Sequence, residues 1–274
     1  MIINSEIRKT ILKMVNKGKG SHIASAFSMV EILNAIYKSV DIKKIMNQDE
    51  DRDRIILSKG HGTSGLYAVM FHHGLVSKKA IDSYFSNGSI MAGHASHFIE
   101  NVEHSTGALG HGLSVGLGIA IGTLSKGYSS RVYVVVGDGE LHEGSNWEAI
   151  MYAGHRKTNN LCLLIDKNER SQMGETSDAC SLDPLLDKLK AFNFESYEII
   201  NGHDEAEIIN IIKQTNNSKR PIAIICNTIK GKGVSYMEGS PAWHGSLKLS
   251  TEDLTQALLE LGATQEEIKG YINE

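Results

Sequence analysis

Only three prolines and three cysteines occur among the 274 residues. With so little proline the chain carries no rigid Pro-rich linker, and no stretch of it reads as a boundary between domains. Cys162, Cys180 and Cys226 are far apart, odd in number and free of any Cys-x-x-Cys spacing. They therefore read as buried thiols rather than as a disulfide framework or a structural zinc site. An excess of basic charge is missing too: 28 Lys and Arg stand against 32 Asp and Glu, a net charge of -4, and the cations are scattered. Such a surface offers no field for nucleic acid. No run of 18 or more apolar residues is present, so no membrane-spanning helix is expected. The opening Met1-Ile2-Ile3-Asn4-Ser5-Glu6 lacks the charged-then-apolar order of a secretory signal, and a cytoplasmic protein is expected.

What is present is the composition of a globular protein with a sizeable core, 41% hydrophobic and 22% charged, together with 27 glycines. The length fits one large domain or two small ones, and the missing linker favours a single domain over 1–274. Apolar residues at helical spacing (Ile7, Ile11, Leu12, Val15, then Val30, Ile32, Leu33, Ile36) predict helices over 5–17 and 28–39, the N-terminal helices of about 5–40, around a polar loop at 18–26. Arg54-Ile55-Ile56-Leu57-Ser58 predicts a buried strand, followed by helices from about Leu66 and near 77–86. A long loop over about 87–108 carries His94, His97 and His104, and loops of that length inside a compact domain are usually functional.

Val132-Tyr133-Val134-Val135-Val136 is the clearest strand, β-branched and apolar throughout, as in a strand covered on both faces. A helix from about Glu143 to Arg156 and the strand Leu161-Cys162-Leu163-Leu164-Ile165 complete a β-α-β unit. The alternation continues with a helix near 183–190, a strand near 196–200, a helix at 204–214 and a strand at 222–226, and a helical tail over about 250–273 closes the chain. The fold class is α/β, a doubly wound parallel sheet with helices on both faces.

The two apolar strands should lie side by side and point the same way, because a short helical crossover joins them. Just past their ends stand Asp138, within Gly137-Asp138-Gly139, and Asn168, thirty positions later. A carboxylate and an amide oxygen so placed can reach one hard divalent ion, which completes its shell with phosphate oxygens and water. Gly137 and Gly139 leave room for a phosphate at the backbone. Taken alone, Gly-Asp-Gly is only a tight turn and Asn168 only a helix cap. Their coupling at one strand-helix-strand length favours a metal and diphosphate site.

This pairing resembles the thiamine diphosphate fingerprint, a Gly-Asp-Gly followed about thirty residues later by Asn. The fuller text Gly137-Asp138-Gly139-Glu140-Leu141-His142-Glu143-Gly144 with Trp147-Glu148-Ala149 resembles the transketolase version of it. Gly20-Ser21-His22-Ile23, Leu57-Ser58-Lys59-Gly60-His61-Gly62, Gly93-His94, Ser105-Thr106-Gly107-Ala108-Leu109-Gly110-His111-Gly112 and Trp243-His244-Gly245 agree with family motifs in order. The resemblance spans essentially the whole chain and implies a thiamine diphosphate-binding fold. A transketolase adds a pyrimidine-binding domain and a third domain. The chain therefore resembles the N-terminal subunit of a split transketolase, whose C-terminal partner subunit carries the pyrimidine-binding domain in an α2β2 assembly.

The resemblance implies that Asp138, Asn168 and the Arg170 carbonyl bind Mg²⁺, or another divalent cation such as Ca²⁺ or Mn²⁺. It implies that Gly137, Gly139, His61 and His244 meet the diphosphate and that Gly107 and Leu109 line the cofactor near its aminopyrimidine. His22, His61, His94 and His244 would surround a ketose or ketose phosphate and serve its hydroxyls and carbonyl oxygen. Any one of them alone would more often be structural, as His72, His73, His97, His104, His142, His155 and His203 are read to be, with His111 between the two groups. Glu143 would sit at the contact with the partner, although a carboxylate there could simply favour a helix N-terminus. Trp147 and Ala149 read as packing residues. Glu169-Arg170-Ser171-Gln172 departs from the more apolar family text. The implied reaction moves a two-carbon ketol unit from a ketose to an aldose or aldose phosphate. The alternatives are a different thiamine diphosphate enzyme, 2-oxoacid dehydrogenase-like or deoxyxylulose-phosphate synthase-like, and a non-catalytic cofactor-binding protein.

Overall fold

The computed structural model describes residues 3–171, 174–245 and 248–273, apart from the side chains of Pro241, His244 and Asn273. The chain opens with helices α1 (Asn4–Gly18), α2 (Ile23–Ser28), α3 (Val30–Ser39) and α4 (Ile42–Met46), then strand β1 (Arg54–Leu57) and helices α5 (Thr63–His72), α6 (Lys78–Asp82) and α7 (Gly112–Ser125). Strand β2 (Val132–Gly137), helix α8 (Gly144–Arg156) and strand β3 (Leu161–Lys167) form the expected β-α-β unit. A small hairpin, β4 (Arg170–Ser171) and β5 (Gly174–Glu175), leads to α9 (Thr176–Ala179) and α10 (Leu185–Ala191). Strand β6 (Glu195–Ile199), α11 (Glu205–Gln214), β7 (Ile222–Asn227), α12 (Thr251–Glu260) and α13 (Gln265–Asn273) follow.

Five strands pair in the order β1-β2-β3-β7-β6, and every pairing is parallel. Because side chains alternate across a strand, β1, β2, β3 and β7 each feed two cores. Tyr133, Val135, Cys162, Leu164, Ile222 and Ile224 face one side, against α1, α2, α3, α5 and α11. Val132, Val134, Val136, Leu161, Leu163 and Ile165 face the other, against α7, α8 and α10. The continuous apolar strands follow from this double cover, each large aliphatic side chain contributing about 1.5–3 kcal/mol on burial.

Two expectations need correction, the first being that Cys180, read as a buried thiol, is exposed, whereas Cys162 and Cys226 are buried. The segment read as a loop over 18–26 is helical from Ile23, and this helix is buried along its whole length; Met29 separates it from α3. Helix α7 falls on a glycine-rich segment for which helical spacing predicts nothing. The tail is helical from Thr251, where Ser250 and Asp253 form a reciprocal capping box.

Candidate active site

Parallel strands place all their C-terminal ends on one edge, and the register sets Gly137 opposite Asp166. Asp138 and Asn168 therefore emerge side by side. Asp138 is 2% exposed; its Oδ1 accepts from the Gly139 amide at 2.9 Å, and its Oδ2 accepts from the Glu169 amide at 2.7 Å and Thr176 Oγ1 at 3.1 Å. Burial, and next the neighbouring Asp166 charge, push its carboxyl above the usual range. Asn168 donates through Nδ2 to Asp166 Oδ2 at 3.2 Å, and its Oδ1 accepts from the Arg170 amide at 3.2 Å, which uses one of the oxygen's two lone pairs. Glu169 holds a left-handed φ of 58°, a conformation few non-glycine residues adopt outside constrained sites. Among the described residues no group of three or more His, Cys, Asp or Glu could hold a metal ion. Asp138, Asn168 and Arg170 do line one cavity, and oxygen donors are the kind a hard cation such as Mg²⁺ takes when phosphate and water fill its remaining positions.

Two lysines stand behind this set. Lys59 Nζ lies 2.5 Å from Asp166 Oδ2, with the two side chains 2% and 0% exposed. Ser28 and Thr228 also donate to Asp166. Burial raises the Asp166 carboxyl, but the Lys59 charge and these hydrogen bonds outweigh it and hold the group below the usual range. Lys230, past the end of β7, donates to the Arg170 carbonyl at 3.3 Å. Burial, then the Lys59 charge, bring its ammonium down to about 7. The cavity thus combines a carboxylate that a cation would stabilise with an ammonium that an anion would stabilise, which fits a metal-bound diphosphate.

The cavity encloses about 440 Å³. Its lining includes His22, His61, His94, Gly107, Leu109, Gly137, Asp138, Gly139, Glu143, Asn168 and Arg170. The ring centroids of His22 and His61 are 5.2 Å apart, and those of His22 and His94 are 6.4 Å apart. His22 takes a left-handed φ of 62° at the start of α2, and its amide donates to the Gly245 carbonyl, so the segment next to His244 is tied to this wall. The side chain of His244 lies outside the described residues, as does Gln172. Glu143 precedes α8, exposed at the cavity rim. His111 caps α7 away from the lining. His72, His73, His97, His142 and His203 make hydrogen bonds to Thr10, Asn34, Ser105, the Cys180 carbonyl and Glu31, and of these five only His142 also lines the cavity. Trp147 donates to the Leu141 carbonyl and packs on the α8 side of the sheet.

Several residues at this site were not among the sequence candidates: Ser25, Lys59, Glu140 and Lys230 line the cavity beside His142, Ser171 and Ala179, and Asp166 backs Lys59. Glu140 joins three motifs, accepting from Ser58 Oγ at 2.5 Å, the Gly110 amide at 2.9 Å and the Gly137 amide at 3.2 Å. Gly60 allows the motif of His61 to lie on the glycine-rich loop, since a Cβ there would stand 2.6 Å from the Thr106 carbonyl. A signal for Lys230 exists in the sequence: it follows a strand end, as Asp138 and Asn168 do.

A parallel α/β sheet with a polar cavity at its strand ends is a common ligand-binding architecture. Here the family described as transketolase, thiamine diphosphate binding domain, matches residues 2–269. The chain belongs to the transketolase family. It is 39% identical over 241 residues to one subunit of the apulose-4-phosphate transketolase of Actinobacillus succinogenes, covering 86% of each chain. It is 34% identical to the 6-deoxy-6-sulfo-D-fructose transketolase subunit SqwG of Clostridium sp., covering 93% of each. Among solved structures it is similar to transketolase from Campylobacter jejuni, with a TM-score of 0.86 and 26% identity over 99% of this chain and 46% of that one. The Pichia stipitis transketolase in complex with sedoheptulose 7-phosphate superimposes with a TM-score of 0.87 and 26% identity, and the chain spans 43% of its length.

Proposed function

We propose that this chain is a single thiamine diphosphate-binding domain that acts as the N-terminal subunit of a two-subunit transketolase. The observation that carries the reading is the convergence of His22, His61 and His94 with Asp138, Asn168 and Lys230 around one cavity. Two relatives of matching extent, each named as a subunit of an apulose-4-phosphate transketolase, support the division into subunits. The partner is a C-terminal subunit with the pyrimidine-binding domain, in an α2β2 assembly. Three free thiols suit a cytoplasmic setting.

In this reading Asp138, Asn168 and the Arg170 carbonyl would hold a divalent cation, with Mg²⁺ first and Ca²⁺ or Mn²⁺ as substitutes. Gly137, Gly139, His61, His244 and Lys230 would hold the diphosphate, and Gly107 and Leu109 the ring region. Bound thiamine diphosphate supplies the chemistry that breaks and makes the carbon–carbon bond. The histidine cluster orients the sugar, donates to the oxygen on which charge develops and exchanges protons with its hydroxyls. Lys59 and Asp166, a buried pair, fix the floor.

The test is reconstitution. The chain mixed with its second subunit, Mg²⁺ and thiamine diphosphate should transfer a ketol unit from a ketose phosphate to an aldose. Carbon dioxide release from a 2-oxoacid without ketol transfer would move the assignment to the decarboxylating class. Tight cofactor binding with neither reaction would favour a non-catalytic binding protein.

A further inference from the structure

His203 lies outside the cavity, in the loop between β6 and α11, yet its ring joins the N-terminal helices to the segment that follows β7. Gly202 lets this loop press on the end of β7: its amide donates to the Asn227 carbonyl at 2.7 Å, and a Cβ at Gly202 would stand 2.7 Å from the same oxygen. The imidazole then reaches both ways. Its Nδ1 is 2.9 Å from Glu31 Oε2, and its Nε2 is 2.8 Å from the backbone nitrogen of Ile229. Glu31 is itself gripped by Arg8 through two bonds of 2.6 and 2.8 Å, and Arg8 also donates to the Phe27 carbonyl of α2 at 2.9 Å.

The partners dictate the tautomer. A backbone N–H can only donate, so Nε2 of His203 is bare; an ionised carboxylate can only accept, so Nδ1 carries the hydrogen. The ring is a neutral bridge between a rigid ion pair and the amide immediately before Lys230. The amide just after Lys230, that of Gly231, donates to the Ala24 carbonyl of α2 at 3.0 Å, so the backbone is held on both sides of Lys230. Lys230 itself lines the cavity.

We propose that His203 is a positioning residue, whose neutral imidazole locks the Ile229–Lys230 backbone and thereby aims the Lys230 ammonium at the diphosphate. This rests on the reading of the cavity as a diphosphate site. Asparagine at 203 can keep the contact with Glu31 but cannot reach Ile229, whereas glutamine can place an acceptor where Nε2 stands.

The test is calorimetric titration of the full 274-residue chain with Mg²⁺ and thiamine diphosphate, and with Mg²⁺ and inorganic diphosphate. His203→Asn should weaken both about five- to thirtyfold, the effect of one or two kcal/mol. His203→Gln should stay within about twofold of wild type. In a Lys230→Met background, His203→Asn should add less than about twofold, because coupled residues are not additive. Full additivity, or equal losses in the Asn and Gln variants, would overturn the inference. If the Asn variant does not fold, a tenfold loss in the Gln variant still overturns it. Wild type that binds neither ligand would overturn the cavity reading instead. The hydrogen-exchange rate of the Ile229 amide then judges the anchor, which fails unless exchange is faster in the Asn than in the Gln variant.

Discussion

Asp138 and Lys230 carry opposite charges that burial disfavours, on two walls of one cavity. A divalent cation beside Asp138 would relieve both its burial and the repulsion from Asp166. Asp138→Ala should therefore weaken Mg²⁺-dependent thiamine diphosphate binding by roughly 10–100-fold or more, the scale known for disrupting metal shells; unchanged affinity in a titration would sink the metal assignment. The Lys230 ammonium, held down to about 7, is mostly neutral above that pH in the free protein. Diphosphate favours its charged form, so binding at pH 8 should take up protons, and less so at pH 6. Calorimetry in buffers of different ionisation enthalpy measures this, and persistence of the uptake in Lys230→Met would assign it elsewhere. Asp166→Ala leaves Lys59 buried without its carboxylate and should cost about 3–5 kcal/mol in chemical denaturation. Asp138 and Asn168 were legible because a strand-helix-strand unit fixes their separation. The Lys59–Asp166 pair was not, since 107 positions separate its members and only packing brings them together.

At the scale of elements, glycine decides where helices meet the sheet and its loops. A Cβ on Gly154 of α8 would stand 1.7 Å from the Phe192 carbonyl, whereas one on Gly118 of α7 would meet nothing within 4 Å. Gly154→Ala should destabilise the isolated chain by about 3 kcal/mol or more, and Gly118→Ala should be neutral or stabilising by up to about 1 kcal/mol. Thermal unfolding of the two variants compares them directly, and equal midpoints would contradict the packing. The strands β2, β3 and β7 were legible as uninterrupted apolar runs. Helix α7 was not, because glycine is a poor helix former and four occur among its fourteen residues. Close approach compensates: Gly116 lies so near β2 that a Cβ would stand 2.4 Å from Val134.

For the molecule as a whole, the chain spans 43–46% of the length of the full transketolases it superimposes on and 86–93% of the relatives named as subunits. Activity should accordingly be absent from the purified chain and restored on adding the second subunit, with sedimentation showing a four-chain particle; ketol transfer by the chain alone would refute the division. Among the described residues no helix is long and apolar enough to cross a membrane. By itself the sequence determined the alternation of strands and helices, the parallel sheet and the Asp138–Asn168 pair, because hydrophobic period and strand-end spacing are local properties. It also identified the family, through motifs in a fixed order. Tertiary structure alone decided that Lys59 and Asp166 support the cavity floor, and it set the distances among the three histidines that the family resemblance had assigned to one site. It alone decided that His203 reaches the amide before Lys230. These are contacts between segments far apart in the chain, and no local pattern encodes the distance between them.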